Sequence, residues 1–214
     1  MLAWMPAPPK TTEEEIVGAV RELLEARGRD GFSMNDVARL VGVRAPSLYG
    51  RFADRASLID ALELALWREL RRRLERAASG RDAEEVLMSQ ARAYRAFAKA
   101  NPESYALLYR IDADRSEEGT AARGAAAAAS LPAFAELVGE RDALLAARVL
   151  TPFLHGFVSM EIASAFRLGG GVDAAFEHGV ATILQGLKRA GRTPSRHAAA
   201  RKSPNRRPQR PTKR

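Results

Sequence analysis

The sequence predicts an all-α protein with an N-terminal three-helix bundle and a larger C-terminal helical domain. Three observations carry that prediction. Apolar residues recur at three- and four-residue spacing from Ile16 to Leu187, as helices with one buried face require. No stretch alternates apolar and polar residues in the manner of a half-buried strand. Cap residues punctuate the chain, with Thr12, Ser33 and Asp54 at helix starts and Gly28 or Gly31, Gly42 and Ser79-Gly80 at helix stops.

Bulk composition narrows the class of protein. At 214 residues the chain can bury a sizeable core, as one larger domain or as a small module plus a larger one. The absence of cysteine excludes disulfides, thiolate metal sites and a cysteine nucleophile. No continuous apolar run reaches the roughly 18 residues of a membrane span. Met1 to Lys10 holds three prolines and no apolar signal core, so a cytoplasmic protein with no membrane partner is expected. The net charge is +8, but eleven Lys and Arg and no acid lie between Lys188 and Arg214. Without them 23 basic groups face 26 acids, so the body carries −3 and the basicity belongs to the tail.

Residues 1–11 are expected to be disordered. Thr12 caps the first helix, and Glu13, Glu14 and Glu15 sit beside the positive end of its dipole. Ile16, Ala19, Val20, Leu23 and Leu24 form its inner stripe, and Phe32 is placed to plug a three-helix core. Ser33 and Asp36 form a capping-box-like pair for a second helix whose apolar face is Val37, Leu40 and Val41. Gly42 supplies the left-handed residue that ends it, and Val43 packs under the turn. A short third helix starts near Arg44, with Pro46 tolerated in its first turn and Leu48 and Phe52 pointing inward. Two short helices around a glycine turn make a helix-turn-helix, a module that lays its second helix in the major groove of DNA.

Asp54 caps a long helix to about Arg76, with Leu58, Ile59, Leu62, Leu66 and Leu70 inward and its arginine-rich second half read as solvated. Helices follow over Asp82–Ala100 and from Pro102 through Tyr105, Leu108, Tyr109 and Ile111, then a loop over 110–118. Gly119–Val138 reads as one helix containing an alanine run, Arg141–Leu168 as a long apolar one, and Asp173–Ala190 as the last. Residues 191–214, with four prolines and no apolar periodicity, are expected to be disordered. The last two helices are apolar on more than one side: Phe153, Phe157, Met160 and Phe166 compete with Leu154, Val158 and Ile162 for burial. Such excess points to a second subunit, and a helix-turn-helix that reads a palindrome also requires a two-fold dimer. A homodimer is therefore expected.

The run Gly31-Phe32-Ser33, Asp36-Val37-Ala38, Val41-Gly42-Val43, Pro46-Ser47-Leu48-Tyr49, Phe52 and Asp54-Arg55-Ala56-Ser57-Leu58 carries a resemblance. Thr12 to Trp67 resembles the DNA-binding domain of TetR-family transcriptional regulators. Phe153 to Glu161, with its His155-Gly156 pair, and Asn101-Pro102-Glu103-Ser104-Tyr105 resemble the C-terminal class named WHG, although Thr151 stands where that motif has tryptophan. The resemblance implies a repressor of palindromic double-stranded DNA, released from its operator by a small apolar effector. The implied division is residues 12–53 for DNA binding and 54–190 for effector binding and dimerisation.

The candidate DNA contacts follow from this frame. Arg44 and Arg51 suit guanine edges or phosphates, since bidentate arginine to guanine is the commonest specific contact. Ser47 and Tyr49 resemble the family's base- and phosphate-contacting positions, while Tyr49 could instead be a half-buried core aromatic. Ala45 and Pro46 offer apolar contact to a thymine methyl. Arg55, with the free amides after Asp54, is placed for a phosphate, and Ser33 and Arg39 for the backbone. For the effector, Tyr94, Phe97, Tyr105, Tyr109, Phe134, Phe153 and Met160 are candidate walls of an apolar pocket, each also suited to plain core. His155 is either a polar pocket group or a hydrogen-bonded core histidine. Pro152, inside the long apolar helix, frees the Arg148 carbonyl and kinks the axis. No cofactor or metal is expected, because no second histidine or acid stands at ligand spacing from His155. The Gly169-Gly170-Gly171 run follows no strand and precedes no Lys-Ser/Thr pair, so it is no phosphate loop. With no catalytic constellation, an enzyme is not expected. The rival reading is a non-specific DNA-binding protein acting through its tail.

Overall fold

The structure, a computed structural model, describes residues 11–80, 82–110 and 116–192. The N-terminal arm 1–10, the loop segment 111–115 with Ile111, and the basic tail 193–214 lie outside the described residues. The described chain is helical, with no strand, and its helices are α1 Glu13–Arg27, α2 Met34–Leu40, α3 Ala45–Tyr49, α4 Arg55–Ala77, α5 Ala83–Ala100, α6 Pro102–Leu108, α7 Glu117–Ala128, α8 Leu131–Val138, α9 Ala143–Ile162 and α10 Val172–Arg192.

The N-terminal helices begin where their caps dictate. Thr12, Ser33 and Asp54 each accept the backbone N–H three residues on, and Glu15, Asp36 and Ser57 reach back to close capping boxes. Gly42 has φ 72°, and the bonds Gly42 N–H to Arg39 O and Val43 N–H to Ala38 O form a Schellman turn. That turn fixes the angle between α2 and α3. Ile16, Val20 and Leu24 of α1 pack with Phe32, Val37, Leu48 and Phe52, and α4 enters the same core through Leu58, Ile59 and Leu62. Leu40 departs from the expected inner stripe. It is 44% exposed, because the helix ends at this residue and Val41 and Val43 fill the space beneath the turn instead.

α4 then runs without interruption into the C-terminal body, where it packs on α5, α6 and α7. Its arginine-rich half is less solvated than expected: Leu70 and Leu74 are buried, and Glu69 accepts from Arg21 of α1 and from Arg73. The expected single helix over 119–138 is two. It breaks at Ala129-Ser130, and Pro132 in the first turn of α8 has no N–H with which to continue α7. α9 also stops short of Leu168. Ser164 takes φ 53°, and Ser164 N–H to Glu161 O with Ala165 N–H to Met160 O make a second Schellman turn, here on a residue other than glycine. Arg95 of α5 fastens this end: it donates to both Glu161 oxygens at 2.6 and 2.7 Å and to Asp173 at 2.6 Å, over the face of Phe176.

Candidate nucleic-acid interface and effector cavity

In the head, Leu48 is fully buried and Phe52 nearly so, which turns the rest of α3 outward. Arg44, Pro46, Ser47, Tyr49 and Arg51 are exposed and Ala45 half-buried, on a segment, 44–53, without a single acid. Tyr49 is 54% exposed, which removes the core-aromatic alternative. Arg44 caps α3 with no side-chain hydrogen bond, so its guanidinium is available outward, whereas Arg51 donates to the Thr11 carbonyl. The expected backbone contacts are placed less simply. The Ser33 hydroxyl is engaged with Asp36, and Arg39 is exposed, 3.5 Å from the same carboxylate. The Ser33 hydrogen bonds, foremost among the causes, hold the Asp36 carboxyl below its ordinary value. Arg55 is turned inward: its Nε donates to the Phe32 carbonyl at 3.0 Å and its guanidinium lies 4.6 Å from the Phe32 ring centre. It clamps the start of α4 to the α1–α2 loop.

The body contains an apolar cavity of about 200 Å³. Trp67, Leu70 and Leu74 of α4 form one wall, Leu87, Gln90, Ala91 and Tyr94 of α5 a second, and α7 contributes Arg123 and Ala126. Phe134 of α8 and Ala147, Leu150, Thr151 and Leu154 of α9 complete it, with Tyr109 at one end. Thr151, where the motif has tryptophan, lines this wall and is exposed. Of the eight residues expected to line a pocket, Tyr94, Tyr109 and Phe134 do so here. Phe97 is sealed in the core, and Phe153 packs on Phe157 and against Gly179 of α10. Met160 is half exposed on the outer side of α9.

Tyr105 and His155 stand one layer behind the cavity and are joined to it through hydroxyls. Tyr94 Oη lies 2.8 Å from Tyr105 Oη and donates to Tyr109 Oη at 2.8 Å, while Tyr105 Oη is 2.6 Å from His155 Nδ1. His155 also stacks on the Tyr109 ring at 4.1 Å. Burial pushes the Tyr105 hydroxyl up to about 12 and raises Tyr94 and Tyr109 as well. Burial lowers His155 below its ordinary value, so the imidazole is held neutral. Gln90, Trp67 and Arg123 were not singled out from the sequence. A glutamine on a helix reads as solvated; the available signal was its place beside Leu87, Ala91 and Tyr94 on the inward stripe.

A small outward helix braced by two others, on a helical body with an apolar cavity, is a helix-turn-helix arrangement joined to a second helical unit. The comparisons agree. Residues 16–62 match the family described as bacterial regulatory proteins, tetR family, and residues 87–183 match the tetracyclin repressor-like C-terminal domain. The HTH-type transcriptional regulator Rv0681 of Mycobacterium tuberculosis is 31% identical over 184 residues, 85% of this chain and 84% of that protein. The regulator YobS of Bacillus subtilis is 26% identical, over 82% of this chain and 92% of its own. Among solved structures, a protein from Rhodococcus sp. RHA1 superposes with TM-score 0.76 at 26% identity, covering 86% of this chain and all of that one. A single-substitution variant of TetR from Acinetobacter baumannii AYE, in complex with minocycline, superposes with TM-score 0.64 at 24% identity over 86% of this chain and all of its own, a likeness of fold. The chain belongs to the TetR family of transcriptional regulators. It is a DNA-binding transcription factor and not an enzyme.

Proposed function

We propose that the protein is a homodimeric repressor that leaves a palindromic operator when a small apolar effector enters the cavity. The observation that carries this reading is the sharing of α4. Its first turns, through Leu58, Ile59 and Leu62, belong to the core of the head, and its later turns, through Trp67, Leu70 and Leu74, wall the cavity. Whatever fills the cavity acts on the helix that carries the head. A second connection runs through α6, where Glu25 of α1 accepts the backbone N–H groups of Glu103 and Ser104. The effector shifts the equilibrium only by its difference in affinity between the DNA-bound and released forms, so it binds the released form better.

On this reading α3 enters the major groove, with Arg44, Ser47, Tyr49 and Arg51 toward bases and phosphates and Ala45 and Pro46 toward thymine methyls. Residues 12–53 serve as the reading head, 54–190 as the effector and dimer body, and the basic tail adds salt-dependent affinity for phosphates in the cytoplasm. The partner copy covers the outer side of α9. That helix is long and apolar enough to cross a membrane by composition, yet only a third of its most apolar stretch is buried within the chain. Leu144, Leu145, Val149, Met160 and Ile162 are the exposed remainder, and a patch of this kind marks an interface. Selection of fragments from a random DNA pool tests the reading. Enrichment of an inverted repeat supports a dimeric reader, and no enrichment over the input pool overturns it.

A further inference from the structure

The amide of Gln90 has one end committed and one end open. Gln90 is 3% exposed on the buried face of α5 and lines the cavity. Its Nε2 donates to the Leu74 carbonyl at 3.1 Å and, more weakly, to the Ala129 carbonyl at 3.5 Å. Leu74 lies in the last turn of α4, where carbonyls lack intrahelical partners, and the Ala78 N–H goes to Glu75 instead. Gln90 Oε1, by contrast, is buried without a hydrogen-bond partner. A buried acceptor left in that state is costly and rare.

The hydroxyl chain at the other end leaves a complementary group. Tyr94 donates to Tyr109, so its one proton is spent and Tyr105 donates to Tyr94. The Tyr105 proton is then spent as well, and His155 Nδ1–H donates to Tyr105. Tyr109 receives a hydrogen bond from this chain, and its own proton is free for a group in the cavity. The cavity therefore offers one buried acceptor without a partner, Gln90 Oε1, and a donor, Tyr109 Oη, on walls that are mostly apolar but also carry Arg123, Ser130 and Thr151.

We propose that the effector is a small apolar molecule bearing a hydroxyl or N–H group that donates to Gln90 Oε1. This rests on the reading of the cavity as the effector site and adds the chemistry that selects the occupant. A hydrocarbon fills the space but strands the acceptor; a phenol- or alcohol-like molecule satisfies it. The size fits, since a cavity of about 150 Å³ holds benzene and this one is about 200 Å³. The position also couples recognition to response, because the amide that meets the donor is the one that holds the last turn of α4.

The test compares toluene with p-cresol, which share a ring and methyl group and differ by one hydroxyl. Isothermal titration calorimetry is run on the full chain and on Gln90→Leu. The wild-type protein binds p-cresol more tightly than toluene, and Gln90→Leu lowers the p-cresol-to-toluene affinity ratio about tenfold while retaining toluene. A ratio unchanged by the substitution, with both compounds bound, overturns the assignment to Gln90 and leaves the cavity reading intact. Binding of neither compound overturns the cavity reading and the assignment with it. A further comparison needs no variant: 4-methylanisole, whose ether oxygen cannot donate, binds the wild-type chain about tenfold more weakly than p-cresol. Equal affinities overturn the proposal.

Discussion

Glu25 holds the head to the body through one carboxylate. Its oxygens accept the Ser104 N–H at 2.8 Å and the Glu103 N–H at 3.2 Å. Both amides belong to the first turn of α6, where no preceding helical carbonyl is available. In Glu25→Ala the amide of Ser104, a fully buried residue, loses its acceptor. A hydrogen bond to a charged group contributes about 1.5–3 kcal/mol, and the longer bond at exposed Glu103 contributes less. The sum, reduced for solvent access at Glu103, comes to about 2–3 kcal/mol. At this chain length each kcal/mol moves the melting temperature by about 2–4 °C, so a fall of about 4–12 °C is expected by scanning calorimetry. Glu25→Gln keeps one accepting oxygen in place and loses about half as much. A Glu25→Ala protein that melts within about 1 °C of the wild type refutes the clamp. Its failure also removes the second route from the body to the head.

Three other perturbations probe different parts of the structure. Arg44→Ala removes an unpartnered guanidinium from the start of α3 and relaxes preference at one operator base by about 1–3 kcal/mol, measured by competition among operator variants; unchanged preference removes Arg44 from the reading residues. Val149→Asp places a charge on the exposed apolar side of α9 and is expected to shift sedimentation velocity from dimer to monomer at micromolar concentration; a dimer of unchanged stability moves the interface elsewhere. Acidification separates two windows. Because burial lowers the folded pKa of His155 from 6.5, the unfolded chain takes up its proton first, and stability falls as pH drops below about 6.5. Hydrogen bonds, led by those from Arg95 to Glu161 and from Arg92 to Glu177, hold those carboxyls low. Their contribution is present above about 4.5 and is lost as pH falls through their folded values. Melting temperature measured against pH shows the first window shrink in His155→Phe while the second persists.

The local chemistry of helix ends was legible in the sequence. The caps at Thr12, Ser33 and Asp54 and the left-handed Gly42 depend on neighbours within a few residues. The break at Ala129-Ser130 was hidden by an alanine run that favours helix throughout, with Pro132 the one local sign against it. The early end of α9 was hidden because Ser164 adopts a backbone conformation its residue type rarely takes. In the cavity, aromatic residues at helical spacing were visible as a group, but spacing does not separate Tyr94 and Tyr109 on the wall from Phe97 in the core. That distinction depends on how α4, α7 and α9 close around α5. Arg55 shows the same limit: sequence places it after a cap, and only the packed Phe32 ring turns it inward.

On the proposed function α4 sets the spacing of two heads, and the cavity controls α4. The chain has no cysteine, so Ala53→Cys, exposed between α3 and α4, carries one spin label per protomer. Electron–electron dipolar spectroscopy on the operator complex is expected to give one narrow distance, on the order of 35 Å for half-sites one helical turn apart. Addition of p-cresol shifts and broadens that distance as the protein leaves the DNA. Absence of dipolar coupling in the complex, or a distance that p-cresol leaves untouched while it binds, rules out control of the heads through α4.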